Sequence, residues 1–178
     1  MHVNARKIAL SGVLAAFAIV LIVMGSVFET STLFLLAAAA FCVGIAVREW
    51  GIPYGAAFLT ACTLLGVIVS PHKLYCVTFA AMGIYILLAE TGWEVIGKAR
   101  RIQRKKAALW VWKYAVFNLM FLPALCFFPT LLIAKKMTDT LFLIIAAAGQ
   151  AGLFIFDRAY ACFQAEIWGR LRGRVMKG

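Results

Sequence analysis

Acidic residues are scarce in this 178-residue chain: seven Asp and Glu stand against 18 Lys and Arg. Those acids that fall in or near apolar stretches, Glu29, Glu90 and Asp157, are far apart in sequence, so no acid/base dyad is suggested locally. Histidine is nearly absent, with only His2 and His72, which argues against a His-based metal centre. The five cysteines, Cys42, Cys62, Cys76, Cys126 and Cys162, form no C-x-x-C pair, so dithiol redox chemistry and a zinc knuckle lose their sequence support. They read as free thiols packed like small apolar groups. No H-E-x-x-H, G-x-S-x-G or Walker lysine loop occurs, and no nucleic-acid motif. The expectation is a chain that is not an enzyme, with no metal and no cofactor.

Apolar residues, by contrast, make up 65% of the chain, and the mean hydropathy is +0.95. Soluble domains hold roughly half apolar residues. The charges cluster between long apolar runs, as in a polytopic membrane protein. Six runs stand out, at 8–27, 33–47, 54–70, 74–89, 111–134 and 140–163. A helix crosses a bilayer core in about 20 residues, so runs one, five and six suffice and the other three need some of their polar flanks. The runs are continuous, without alternation of period two, which favours helices over a barrel. The first run is longer than a signal-peptide core and lacks a small-x-small cleavage site, so it reads as a retained helix. The predicted fold is all-α, a single membrane domain over 1–178 with a six-transmembrane-helix bundle.

Charge predicts the orientation. With both termini inside, 15 of the 18 basic residues lie on the cytoplasmic side, leaving Lys73, Lys135 and Lys136 outside. Trp50, Trp93, Trp110, Trp112 and Trp168 then fall at inner boundaries, where an indole buries its ring and keeps its N–H near water. The net charge of +11 is explained by a basic face near anionic lipid and requires no nucleic acid. The expected location is the bacterial plasma membrane, multi-pass. The segment 91–110 reads as a cytoplasmic loop carrying Arg100, Arg101, Arg104, Lys105 and Lys106. It is either an interfacial amphipathic helix, with Val95, Ala99 and Ile102 on one side, or a solvated loop that sets topology.

Polar residues in or beside the spans are the functional candidates, because each needs a partner in lipid. Glu29, Thr30, Ser31 and Thr32, at the outer end between the first two spans, either line a pocket or, through Thr30 or Ser31 with Glu29 nearby, cap the second helix. His72 and Lys73, in a turn stiffened by Pro71, either meet an anionic group on a substrate or form an ordinary turn. Asn118 and Gln150 either bind a ligand or hydrogen-bond to each other across two helices. Asp157 is expected to pair with Lys113 or a loop arginine, while Arg158 snorkels to the inner surface. On the first span, Ser11 and Ala15 are spaced by four, as are Gly12 and Ala16, which permits close approach of another helix. That approach serves either internal packing or a subunit contact.

The first span, "ARKIALSGVLAAFAIVL", with its basic pair and small residues, resembles the substrate-binding S components of energy-coupling-factor vitamin transporters. "SPHKLYCVTFAAMGIYILLAE" and "WVWKYAVFNLMF" are similar to a group of S-component-like clostridial membrane proteins. Pro71, Lys73, Gly83, Tyr85, Glu90, Lys113, Phe117 and Asn118 match that group's pattern, whereas the lysine expected before the glutamate is replaced by Leu87, Leu88 and Ala89. The resemblance implies a subunit that binds a vitamin or similar small molecule from outside. It also implies docking, through Ser11, Gly12, Ala15 and Ala16, on a transmembrane coupling subunit served by two ATPases. The alternative is a non-catalytic scaffold or accessory subunit of a larger membrane complex.

Overall fold

A computed structural model describes residues 5–98, 104–127 and 139–170. Among these residues the chain is helical apart from short connections, without a strand. It divides into two compact units, Met1–Lys105 and Lys106–Gly178.

The first unit holds α1 (Ala5–Val27), a 3-10 turn (Glu29–Ser31), α2 (Thr32–Trp50), α3 (Ile52–Val69) and α4 (Lys73–Lys98). Among the described residues four helices are long and apolar enough to cross a membrane: Lys7–Val27, Thr32–Trp50, Ile52–Val69 and Lys73–Gly97. These are the four helices of this unit. Their outer faces carry Phe17, Leu64, Ile68 and Val77, all exposed. Water would penalise such a surface, whereas lipid accepts it without cost.

Helix α2 is the axis of the unit, packing on α1, α3 and α4. Its most apolar window is 61% buried, against 22% for that of α1, and Ala39 through Val47 form an unbroken buried run. Small side chains at Ala39, Ala40, Gly44 and Ala46 let three neighbours close around it. On the α3 side a Cβ added to Gly55 would lie 2.2 Å from Val47 Cγ2 and 3.2 Å from its Cα, so only glycine fits this crossing. Helix α1 contributes Leu14, Ala18, Leu21 and Ile22, one stripe at helical spacing.

Short connections hold the helices in register. One residue, Gly51, separates α2 from α3; its φ of 93° lies in the region that favours glycine, and its N–H donates to Val47 O at 2.8 Å. Pro53 follows in the first turn of α3, where its missing N–H costs nothing. The expected cap on α2 by Thr30 or Ser31 is not formed, since Ser31 makes no side-chain cap hydrogen bond. Instead the buried Thr32 hydroxyl donates to Gly25 O at 2.8 Å, with Phe28 O at 3.1 Å, tying α2 back onto the end of α1.

The second unit holds α5 (Lys105–Phe127) and α6 (Asp139–Cys162), the latter running into a π-helical segment, Phe163–Trp168. Of the two readings of 91–110, helix and solvated loop, the described flanks are helical: α4 continues to Lys98 and α5 begins at Lys105. Glu90, Glu94 and Lys98 end the apolar run but are good helix formers, so the helix outlasts the hydrophobicity. Ala99, Arg100, Arg101 and Ile102 lie outside the described residues, as do 128–134 of the fifth run.

Candidate functional site

Three polar constellations survive among the apolar helices. The first is at the end of the four-helix unit where α2 terminates. Successive helices on short connections run antiparallel, so α2 and α4 run parallel, and Arg48 and Glu90 reach nearly the same depth. Arg48 Nη2 and Nε lie 2.6 and 2.8 Å from the same oxygen, Glu90 Oε1. The side chains differ in solvent access: 43% for Arg48 and 10% for Glu90. The arginine therefore reaches outward from its stem while the carboxylate stays within the bundle. A cavity of about 410 Å³ opens beside the pair, lined by Val47, Arg48, Gly51, Glu90, Trp93 and Glu94. Glu90, Trp93 and Glu94, spaced three and four apart, share one face of α4. Sequence reasoning missed this site. Arg48 counted only toward topology, and Glu90 was noted without a partner; opposite charges at matching depth on two parallel apolar helices were the available signal.

The second constellation is the α3–α4 turn, which holds His72 and Lys73. The Lys73 ammonium donates to the carbonyls of Val67 and Ser70. It thus closes the C-terminus of α3, where unsatisfied carbonyls concentrate partial negative charge. The His72 ring is exposed and sits 5.4 Å from the ring of Tyr75. Ser70 is buried, with its hydroxyl 3.4 Å from His72 O.

The third lies in the second unit, between α5 and α6. Lys113 Nζ is 2.6 Å from Asp157 Oδ1, with side chains 21% and 7% exposed. The expected pairing of Asp157 with Lys113 is thus formed. Lys113 Nζ also stands 5.7 Å from the ring centre of Trp110, which stacks on Phe154. One to two turns further along α5, Asn118 Oδ1 accepts from Gln150 Nε2 at 2.6 Å, and Asn118 Nδ2 donates to Tyr114 O at 2.9 Å. The two amides hydrogen-bond across the helices as the structural reading expected. Gln150 Oε1 is buried without a hydrogen-bond partner among the described residues.

The remaining sequence candidates separate. On α1, Gly12 and Ala16 are exposed, and a Cβ at Gly12 would meet nothing within 4 Å. Ala15 is half-buried, as is Ser11, whose hydroxyl donates to Ile8 O at 2.9 Å. Thr30 is exposed, and the Glu29 side chain lies outside the described residues. Arg104, Lys105 and Lys106 are exposed, with Lys105 Nζ on Gly97 O at 2.8 Å. Cys42, Cys62 and Cys76 are buried free thiols, but Cys162 is exposed, against the expectation that all pack inside. No group of three or more His, Cys, Asp or Glu able to hold a metal occurs among the described residues. No protein family, curated protein or solved structure matches the chain.

Proposed function

We propose that the chain is a non-catalytic, substrate-binding membrane subunit of an energy-coupling-factor-type uptake transporter, crossing the bacterial plasma membrane six times with both termini inside. It captures a vitamin or similar small molecule and works with a coupling subunit and ATPases that supply the energy. The observation that carries this reading is the division of labour on α1. Leu14, Ala18, Leu21 and Ile22 pack into the bundle, while Gly12 and Ala16 point the other way and are left uncovered by it. Internal packing thus accounts for one stripe of α1 and leaves the opposite small-residue stripe for another helix. Ser11, seven residues before Ala18, continues the packed stripe, and Ala15 lies between the two faces; both are half-buried.

The test is co-purification in mild detergent from cells that also produce the coupling subunit and ATPases. The wild-type chain is expected to bring down all three, with a bound small molecule. Gly12→Leu with Ala16→Leu is expected to abolish that association with unchanged thermal stability, because neither side chain is enclosed within its own unit. Retention of the partners by the double variant would refute the docking role.

A second reading, a scaffold or accessory subunit, is favoured by one observation. Lys73, the cation best placed to greet a substrate at the α3–α4 turn, spends its ammonium on backbone carbonyls. Partner proteins without any saturable small molecule would select this reading.

A further inference from the structure

One acceptor in the second unit is left unserved. Gln150 Nε2 donates to Asn118 Oδ1, yet Gln150 Oε1 is buried without a hydrogen-bond partner among the described residues. A buried orphan of this kind costs stability, so it calls for a reason. We infer that the Gln150 amide is the recognition edge of a binding site for a flat, uncharged ring bearing a lactam or ureide group, and that the Phe121 ring fills the slot such a ligand takes. The inference rests on the substrate-binding reading above and gives it a ligand class.

Gly149 marks the slot. A Cβ added there would lie 2.7 Å from both Cε1 and Cζ of Phe121, so the ring rests directly on the α6 backbone. Phe121 also stacks on Phe117, with 4.9 Å between ring centres and 16° between the planes. A flat ring lying on Gly149 and nearly parallel to Phe117 is thus the shape this place accepts. Phe121 is only half-buried, so its displacement does not require the core to open. The exchange replaces one aromatic ring by another and keeps the packed volume. Asn118 and Phe121 are three residues apart on α5, and Gly149 and Gln150 are adjacent on α6, so the ring and the amide pair stand at neighbouring levels.

The ligand class follows from the donors and acceptors. A primary amide carries two N–H donors and one carbonyl oxygen. In Gln150 one N–H is used on Asn118 and the oxygen is unused. Asn118 Nδ2 in turn donates to Tyr114 O, which fixes the end of the Gln150 amide that faces it. A lactam or ureide presents an N–H beside a C=O. It therefore pairs with such an amide twice, its N–H donating to Oε1 and its C=O accepting the second N–H. Charge does not suit the place. Phe117, Asn118, Phe121, Gly149 and Gln150 carry none, and the ion pair on the same helices, Lys113–Asp157, is closed at 2.6 Å. A charged ring here would be desolvated without a counter-ion.

The test is a titration of the full-length chain in mild detergent, followed by saturation-transfer NMR. The probes are 2-pyridone, a six-membered flat lactam, and N-methyl-2-pyridone, which has the same ring but no N–H. The wild type is expected to bind 2-pyridone about tenfold more tightly, the ratio for one hydrogen bond. Gln150→Leu is expected to erase that preference. Phe121→Ala clears the slot, and is expected to bind 2-pyridone about tenfold more tightly than the wild type and to keep the preference. Equal affinities for the two probes overturn the inference, as does a preference that survives Gln150→Leu. Binding by Phe121→Ala no tighter than by the wild type overturns it too. Absence of the preference, with the coupling subunit and ATPases still co-purifying, overturns the ligand class alone. The preference without those partners overturns the transport reading alone.

Discussion

Removing either partner of the Arg48–Glu90 pair breaks the same contact, yet the two removals should differ in cost. Arg48→Ala leaves a carboxylate whose side chain is only 10% exposed without its cation. Removing one partner from a buried pair of this kind costs about 3 kcal/mol. Glu90→Gln leaves an arginine that is 43% exposed and whose long stem lets the charge find water. That loss is closer to about 1 kcal/mol, the upper range for a solvated pair. In the double variant no buried charge is stranded, so it should be more stable than Arg48→Ala alone, with a coupling energy of about 2 kcal/mol. Cys42, Cys62 and Cys76 are buried in the same unit, so a thiol-reactive fluorophore reports its thermal unfolding, with the exposed Cys162 as baseline. At roughly 2–4 °C per kcal/mol for a chain of this size, Arg48→Ala should melt about 6–12 °C lower and Glu90→Gln about 2–4 °C lower. Equal shifts, or a double variant below Arg48→Ala, would refute the argument from unequal exposure.

Two further outcomes follow from packing, read as thermal melts followed by circular dichroism. Asn118→Leu should cost about 2 kcal/mol, because it leaves both polar atoms of the Gln150 amide unpartnered, whereas Gln150→Leu should stay within about 1 kcal/mol, since it removes one orphaned oxygen and creates another. Gly55→Ala should destabilise by about 1–3 kcal/mol against Val47, while Gly12→Ala, with open space around it, should be neutral or stabilising by up to about 1 kcal/mol. A tolerated Gly55→Ala would mean that α2 and α3 separate without penalty.

Much of the helical layout can be read from the apolar runs, because outward-facing and core-facing positions are both apolar and each helix shows as a block. The end of α4 cannot be read that way. Hydropathy stops at Ala89, whereas backbone hydrogen bonding, indifferent to side-chain charge, carries the helix to Lys98. The pairs Lys113–Asp157 and Asn118–Gln150 were legible because a polar group in an apolar helix must find a partner, and few were available. Arg48–Glu90 was not, since its residues become neighbours only once the depth of two parallel helices is known. The role of Thr32 was hidden for a local reason. Capping rules look forward along the helix, but the hydroxyl reaches back to a carbonyl at Gly25, where no side chain stands in the way.

The one-residue link at Gly51 has a consequence for biogenesis. Trp50 and Ile52 belong to different helices, so no hydrophilic stretch intervenes to pause in water between them. A link this short leaves the two segments to enter a bilayer only as a joined hairpin if they cross one. A charged insertion at this point would uncouple them and expose the small-residue spine of α2 before its neighbours arrive.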